Sequence, residues 1–112
     1  MPRRTKPDAL ALAVGGRIRA LREEAKLTME QVAYTSELGS KGHLSSLEKG
    51  LVMPTVATLK AIADRLDVMV ADLVNDPRDG DRAKLLELTR GLPRGVLRKL
   101  VKELSAARKP KK

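Results

Sequence analysis

The stretch that decides the fold is Thr28-Met-Glu-Gln-Val-Ala-Tyr-Thr-Ser-Glu-Leu-Gly-Ser-Lys-Gly-His-Leu-Ser-Ser-Leu-Glu-Lys-Gly50. Its pattern predicts two short helices joined by a tight polar turn. Thr28 and Gln31 form a capping box at the start of the first helix, because hydroxyl and amide can satisfy each other's backbone donors. Ser40 can cap the second helix, and Gly50 can supply the left-handed residue that ends it.

The two predicted helices each have an apolar face and a polar face. The apolar residues are spaced to face inward and are Val32, Ala33, Leu44 and Leu47. The start and outer face of the second helix carry polar or small residues, which are Lys41, Gly42, His43, Ser45 and Ser46. A short helix with such a face is suited to insertion into the major groove of DNA.

Length and composition narrow the class of protein. A chain of 112 residues forms one domain of ordinary size, with room for an appendage. It has no cysteine and one histidine, so disulfides, zinc fingers and soft-metal sites are not expected. The scarcity of aromatic residues favours helices over a sheet and argues against modules that stack single-stranded bases. No glycine-rich phosphate loop or catalytic motif occurs, so we expect no enzyme, catalytic residue, cofactor or metal.

The apolar run at residues 9–14 is too short for a secretion signal, and no run of 18 apolar residues could span a membrane. We therefore expect a cytoplasmic, nucleoid-associated protein with no membrane partner.

The net charge of +9 is concentrated at the two ends of the chain. Residues 1–7 carry three basic residues and residues 108–112 carry four, with no acidic residue in either segment. Residues 8–75 carry eight basic and nine acidic residues, a net charge of −1. Residues 76–107 have a net charge of +3. Basic tails of this kind either bind phosphates without sequence preference or only keep the protein soluble.

Helices are also predicted on both sides of this stretch. Asp8 can cap a first helix that runs to about Lys26, although it could instead begin after Gly15-Gly16. Thr55 can cap a fourth helix, in which Val56, Leu59, Ile62, Ala63 and Leu66 keep a helical period. A short fifth helix is predicted at residues 69–74. Together these five helices form a compact all-α bundle.

The turn residues at 75–80 predict a domain boundary, beyond which two amphipathic helices follow, at residues 81–90 and from Pro93 to about Ala107. Two short helices cannot bury their apolar faces alone. They must therefore dock on the first domain or on a second subunit. Because no other partner is evident, we predict a dimer or partner contact through Leu85, Leu86, Leu97, Leu100, Val101 and Leu104. A basic stripe on the last helix, formed by Arg94, Arg98 and Lys102, is either a solvated face or a contact for DNA or an acidic partner.

Residues 15–74 resemble the lambda-repressor/Cro type of helix-turn-helix domain found in bacterial and phage regulators. Five segments carry the resemblance in order: GRIRALREE from Gly16, LTMEQVA from Leu27, LSSLEKG from Leu44, PTVATLKAIA from Pro54, and Leu66-Asp-Val. The resemblance implies a five-helix lambda-repressor-like DNA-binding domain, here followed by a two-helix C-terminal extension.

The resemblance also implies a role for individual residues. Arg22 and Glu48 would form a buried structural salt bridge, and residues 40–49 would form the recognition helix. Thr28 and Gln31 would touch phosphates, as would Ser40 and Lys49, whereas Lys41, Gly42 and Ser46 would face bases. The sequence departs from the family by one additional residue between Ala33 and Glu48, which implies a longer turn at 36–39. It also places Glu30 and Glu37 beside the expected DNA face.

We therefore predict a sequence-specific regulator of transcription that binds double-stranded DNA as a homodimer. The predicted parts are a basic arm at 1–8, a helix-turn-helix domain at 9–75, a helical hairpin for dimerisation or partner binding at 76–107, and a basic tail at 108–112. The predicted DNA contacts are Arg3, Arg4, Thr28, Gln31, Ser40, Lys41, Gly42, His43, Ser45, Ser46 and Lys49. Two alternatives are an antitoxin or anti-activator-like module whose C-terminal helices bind a protein, and an architectural protein that binds DNA without sequence preference.

Overall fold

The computed structural model describes residues 8–34 and 40–108, and all regular structure within them is helical, which confirms the all-α prediction. A short 3-10 helix, Pro77–Asp79, lies between the fifth and sixth α-helices. The chain divides into two compact units, Met1–Asp76 and Pro77–Lys112. The α-helices are α1 (Ala9–Glu24), α2 (Met29–Ala33), α3 (Lys41–Glu48), α4 (Val56–Leu66), α5 (Val70–Val74), α6 (Asp81–Thr89) and α7 (Arg94–Ala107).

The predicted N-caps are confirmed for the first four helices, at Asp8, Thr28, Ser40 and Thr55. Each side-chain oxygen accepts a hydrogen bond from the backbone N–H three residues later, at 3.1–3.2 Å. Gln31 completes the capping box by accepting from the Thr28 N–H at 2.8 Å. These bonds satisfy backbone N–H groups that have no partner within the first turn of a helix. The side chain of the N-cap residue therefore determines where each helix begins.

The core of the first unit is aliphatic. Its buried members are Val14, Ile18, Leu21, Val32, Ala33, Leu44, Leu47, Leu59, Ile62, Ala63, Leu66 and Leu73. Val56 keeps the helical period of the buried residues of α4 but is itself 75% exposed. Val56 is the first residue of α4 and is not covered by the other helices. Leu59 and Ile62, about one and two turns later on the same face, are buried in the core.

Helix α1 begins at Ala9 and continues through Gly15-Gly16, so the alternative start after the glycines is wrong. Gly15 is buried against the end of α3, and a Cβ atom added there would overlap the carbonyl oxygen of Leu47. Gly50, with φ of +74°, ends α3 as predicted and lies against the backbone of Leu12. The absence of two Cβ atoms thus lets α1 and α3 approach closely.

Helix α5 is held to α1 by polar contacts. Arg17 Nε donates to the carbonyl oxygen of Asp72 at 2.8 Å. The buried Asp72 carboxylate accepts from the Met69 N–H at 2.9 Å and so secures the start of α5. The fifth helix is thereby fixed although it has only five residues.

The second unit has its helices near the predicted positions, but it is loosely packed. Pro93 precedes α7 as its N-cap residue and does not lie inside its first turn as predicted, because its ψ of 148° is not helical. No residue of α6 or α7 is buried.

Among the described residues, no helix is long and apolar enough to cross a membrane. The longer turn predicted at 36–39 lies outside the described residues.

The adjacent glycines of α1 provide a matched pair of substitutions. We expect Gly15→Ala to destabilise the fold by about 1–3 kcal/mol, because the added methyl group overlaps backbone of α3, which cannot rotate away. Gly16→Ala should stabilise it by about 1 kcal/mol, because nothing lies within 4 Å of the added methyl group. Urea unfolding at 25 °C measures both values. Equal stability of the two variants would show that α1 and α3 do not approach as described.

Candidate nucleic-acid interface

The N-terminal half of α3 presents a small polar surface. Ser40, Lys41 and Gly42 are exposed there, and Lys49 is exposed just beyond the other end of the helix. His43 and Ser45 are half-buried. Thr28 and Gln31 are exposed at the start of α2. Arg3 and Arg4, which were predicted to contact phosphates, lie outside the described residues.

The structure removes Ser46 from the predicted set of base-facing residues. Its side chain is buried, with 7% of the residue exposed, so it cannot present its hydroxyl to a base edge. The reason is that α3 packs against both α1 and α2. Its second half is therefore enclosed, and Leu47 and Glu48 are buried next to Ser46. The residues of the helix that remain open to a ligand are Lys41, Gly42, His43 and Ser45.

The orientation of α3 is fixed by an ion pair with α1. Arg22 Nε donates to Glu48 Oε2 at 2.7 Å and Arg22 Nη2 donates to Glu48 Oε1 at 3.1 Å, so the pair that the resemblance implies is present and bidentate. The two side chains are only 10% and 3% exposed. The hydrogen bond to Glu48 raises the pKa of Arg22 above its ordinary value, although burial acts in the opposite direction.

Arg22 also connects this ion pair to the backbone. Its Nη1 atom donates to the carbonyl oxygen of Leu27 at 2.9 Å, just before α2 begins. One guanidinium group therefore contacts α3 and the loop that leads into α2, while it is carried by α1. A planar group with five donors can make such a set of bonds, whereas a lysine cannot. The ion pair thus positions the helix-turn-helix as a unit.

The helix caps leave hydrogen-bond donors at the exposed surface. Thr28 and Ser40 use their hydroxyl oxygens as acceptors, so each hydroxyl hydrogen remains available to a ligand. Gln31 likewise uses its carbonyl oxygen and keeps its NH₂ group. The three side chains can therefore donate outward while their positions are held by backbone contacts. Such pre-positioned donors suit an anionic oxygen such as that of a phosphate.

Lys41 is paired with a carboxylate on the neighbouring helix. Its Nζ lies 2.6 Å from Oε1 of Glu30 on α2, and both side chains are largely exposed. The hydrogen bond from Lys41 holds the pKa of Glu30 below its ordinary value. Glu30 therefore limits the positions that the ammonium group reaches, and any anionic ligand of Lys41 must compete with this carboxylate.

Gly42 and His43 complete the surface. A Cβ atom added at Gly42 would meet only Ser40 Oγ, at 3.9 Å, so the space outside this turn of α3 is open. The half-buried His43 is held at the first turn by the bond from its N–H to Ser40. A ligand can therefore approach the backbone of α3 closely at Gly42, with a lysine on one side and an imidazole on the other.

Two contacts at this surface were not predicted from the sequence. The Lys41–Glu30 pair joins residues of different helices, and no local spacing signals it. Arg65 on α4 donates from Nε to the carbonyl oxygen of Gln31 at 3.1 Å and so ties α4 to α2. Tyr34 is 88% exposed just after the end of α2 and is not part of the core.

Two features of the part of the chain that the structure describes concern metal ligands and depressions in its surface. No group of three or more His, Asp or Glu side chains there could hold a metal ion. An open depression of about 430 Å³ in the second unit is lined by Pro77, Arg78, Gly80, Asp81 and Lys84. It contains none of the predicted site residues.

Comparisons with known proteins agree with this geometry. Residues 13–75 match the family model described as a helix-turn-helix domain, which covers most of α1 and all of α2 to α5. This family consists of DNA-binding transcriptional regulators and not of enzymes. The resemblance to lambda-repressor/Cro-type domains is thereby confirmed.

Two curated relatives share this region. The immunity repressor protein of Bacillus phage phi105 is 37% identical over 65 residues, which cover 58% of this chain and 44% of the repressor. The chain thus spans less than half the length of that relative. The uncharacterized HTH-type transcriptional regulator y4dJ of Sinorhizobium fredii is 44% identical over 61 residues, which cover 54% of this chain and 78% of that protein.

Two solved structures share the fold. The restriction-modification controller protein C.AhdI from Aeromonas hydrophila superposes with a TM-score of 0.56 at 26% identity and covers 59% of this chain and 98% of its own. The clp gene regulator ClgR from C. glutamicum superposes with a TM-score of 0.55 at 30% identity and covers 60% and 86%.

The Arg22–Glu48 pair can be tested against an exposed pair on α1. We expect Glu48→Gln to lower the free energy of unfolding by about 3–5 kcal/mol, because it leaves a buried guanidinium charge without its counter-ion. Glu23→Gln, which removes the exposed partner of Arg19, should cost less than about 1 kcal/mol. Chemical denaturation of both variants provides the comparison. Similar losses in the two variants would mean that the buried pair does not hold α3.

Proposed function

Because the chain belongs to the helix-turn-helix family of DNA-binding regulators, we propose that it reads an operator in double-stranded DNA through α3 and its caps. The observation that carries this proposal is the exposed polar start of α3, whose buried second half is clamped by the Arg22–Glu48 ion pair. A short helix held rigidly at one end can enter a major groove with its other end.

Base and phosphate contacts are divided between two sets of side chains in this proposal. Lys41 donates to guanine O6 or N7 when it leaves Glu30, and His43 and Ser45 lie on the same helix to contact neighbouring bases. Gly42 allows the backbone to approach the groove. Thr28, Gln31, Ser40 and Lys49 donate to phosphates and set the register of the protein on the duplex.

The regulator acts as a homodimer in this proposal. One recognition helix covers only a few base pairs, so two copies are needed for a specific site. The second unit supplies the contact, because none of its helical residues is buried within the chain. The contact residues are Leu85, Leu86, Leu97, Leu100, Val101 and Leu104. The relative named as a phage immunity repressor supports repression as the outcome. Binding to an operator on the chromosome would place the protein in the cytoplasm, at the nucleoid.

A second candidate function has one specific observation in its favour. The DNA-binding unit carries a net charge of −1 over residues 8–75, whereas strong duplex binding is commonly driven by excess positive charge. In this alternative the chain is an antitoxin or anti-activator-like module, and the exposed apolar faces of α6 and α7 bind a partner protein.

Selection of genomic DNA fragments by the purified protein at about 150 mM salt, followed by sequencing, tests the proposal. We expect enrichment of a palindromic motif with half-sites about 10 base pairs apart. A lack of enrichment would favour the alternative, and a pulldown with the same protein would then identify its partner.

Lys41 can be compared with a lysine in the same state on another helix. Lys41→Ala should weaken binding to the selected motif by about 1–3 kcal/mol and relax the preference at one base pair. Lys60→Ala is the control, because Lys60 is equally exposed and pairs with Asp64 at 2.9 Å on α4. Fluorescence anisotropy with the motif and with scrambled DNA measures both effects. An equal loss on scrambled DNA would show that Lys41 contacts phosphate and not a base.

The dimer contact can be tested with two exposed valines. Val101→Asp on α7 should raise the dimer dissociation constant at least about tenfold, because it places a charge in an apolar interface. Val56→Asp is the control. Val56 is the first residue of α4, lies outside the proposed contact and is 75% exposed, compared with 63% for Val101. Analytical ultracentrifugation measures both variants. A wild-type chain that remains monomeric, or two variants that dimerise equally, would contradict this assignment.

A further inference from the structure

The basic side chains of the first unit are largely occupied within the protein. Among the described residues of this unit, four of them pair with carboxylates, which are Arg19, Arg22, Lys41 and Lys60. Arg17 and Arg65 donate to backbone carbonyl oxygens instead. Lys26 and Lys49 are exposed and have no such partner within residues 8–34 and 40–108, so two of the eight basic side chains of residues 8–75 remain free for a phosphate backbone, although the proposed function requires this unit to lie on DNA.

The basic side chains of helix α7, in contrast, are not paired within the described residues. Its four basic residues, Arg94, Arg98, Lys99 and Lys102, are exposed, and Glu103 is its only acidic residue. In the part of the chain that the structure describes, none of these four side chains has a hydrogen bond or ion pair. Arg108 follows directly after the helix and is also exposed. Positive charge is thus free along the length of α7.

Three of these cations lie in a row. Arg94, Arg98 and Lys102 are four residues apart, so they occupy adjacent positions on one side of the helix. At 1.5 Å per residue they extend over about 12 Å of helix axis. Over the same length, one strand of a DNA duplex presents about three or four phosphates. The row therefore complements a short segment of phosphate backbone in the sign of its charge and in its length.

The row lies beside the proposed dimer contact. Leu97, Leu100 and Leu104 are displaced around the helix axis from Arg94, Arg98 and Lys102, whereas Val101, three residues after Arg98, lies at the border between the two faces. One helix can therefore contact a second subunit with its apolar face and a polyanion with its basic face at the same time.

We propose that the row formed by Arg94, Arg98 and Lys102 on α7 binds the phosphate backbone of double-stranded DNA and provides sequence-independent affinity. This inference rests on the proposed function, because the first unit brings the duplex to the same chain and so raises its effective concentration near α7. An anionic lipid surface has similar chemistry, but α7 has no aromatic residue of the kind that anchors interfacial helices.

The test uses two double variants that remove the same charge. Arg98→Gln with Lys102→Gln removes two free cations from α7, and Arg19→Gln with Lys60→Gln removes two cations that already pair with Glu23 and Asp64. Circular dichroism establishes that both fold, which is expected because glutamine is a good helix former. Fluorescence anisotropy then follows binding to a duplex of about 30 base pairs from about 50 to about 300 mM salt.

The affinity of the wild-type chain should fall with rising salt. We expect the plot of log affinity against log salt to be shallower for the α7 variant, with the magnitude of its slope reduced by about 1–2 for each protomer, on both selected and scrambled duplexes. The control variant should keep the wild-type slope. Equal slopes in the two variants, with sequence preference retained, would overturn this inference and leave the proposed function intact. If the wild-type chain binds no duplex at all, both proposals fail.

A vesicle-binding assay tests whether the row binds the phosphates of a lipid surface instead of those of DNA. Cosedimentation with vesicles of phosphatidylcholine and phosphatidylserine should show no binding that depends on Arg98 and Lys102. Loss of vesicle binding in the α7 variant, together with an unchanged slope on DNA, would assign the row to a membrane surface and overturn the inference.

Discussion

The buried contact between α1 and α3 is the constraint on which the rest of the structure depends. The Arg22–Glu48 ion pair fixes the end of α3, and the small size of Gly15 allows the two helices to approach closely enough to form it. Neither feature suffices alone, because a buried charge pair stabilises a fold only when its geometry is good and its remaining donors are satisfied. The bond from Arg22 to the Leu27 carbonyl oxygen meets that second condition.

This arrangement separates rigidity from recognition within one short helix. The second half of α3 is buried around Leu47 and Glu48, whereas its first half ends in the cap formed by Ser40 and leaves Lys41 exposed. In the proposed function, specificity depends on a few positioned side chains, whereas six of the eight basic side chains of residues 8–75 already pair with carboxylates or backbone carbonyl oxygens. The proposed division of labour follows from this, with base contacts at α3 and sequence-independent affinity from free cations elsewhere in the chain.

Local signals predicted most of the helix positions correctly, because caps act over three or four residues. Asp8, Thr28 and Thr55 each cap the helix that they were expected to cap. Burial was less predictable from the sequence. Val56 has the helical period of a core residue but lies at the first position of α4, and Ser46 has the polarity of a surface residue but is enclosed where α1 and α2 meet α3. Periodicity gives the face of an isolated helix, and it does not show how much of that helix its neighbours cover.

The sequence alone therefore determined the all-α class, the family, the caps and the Arg22–Glu48 partnership, since these depend on short spacings or on a motif shared with related chains. The tertiary structure decided which part of α3 is open, that Glu30 holds Lys41, and that α1 runs unbroken through its glycines. The physical reason is that these features arise between helices. They depend on the distance and angle at which two packed helices meet, and no local pattern of residues encodes either quantity.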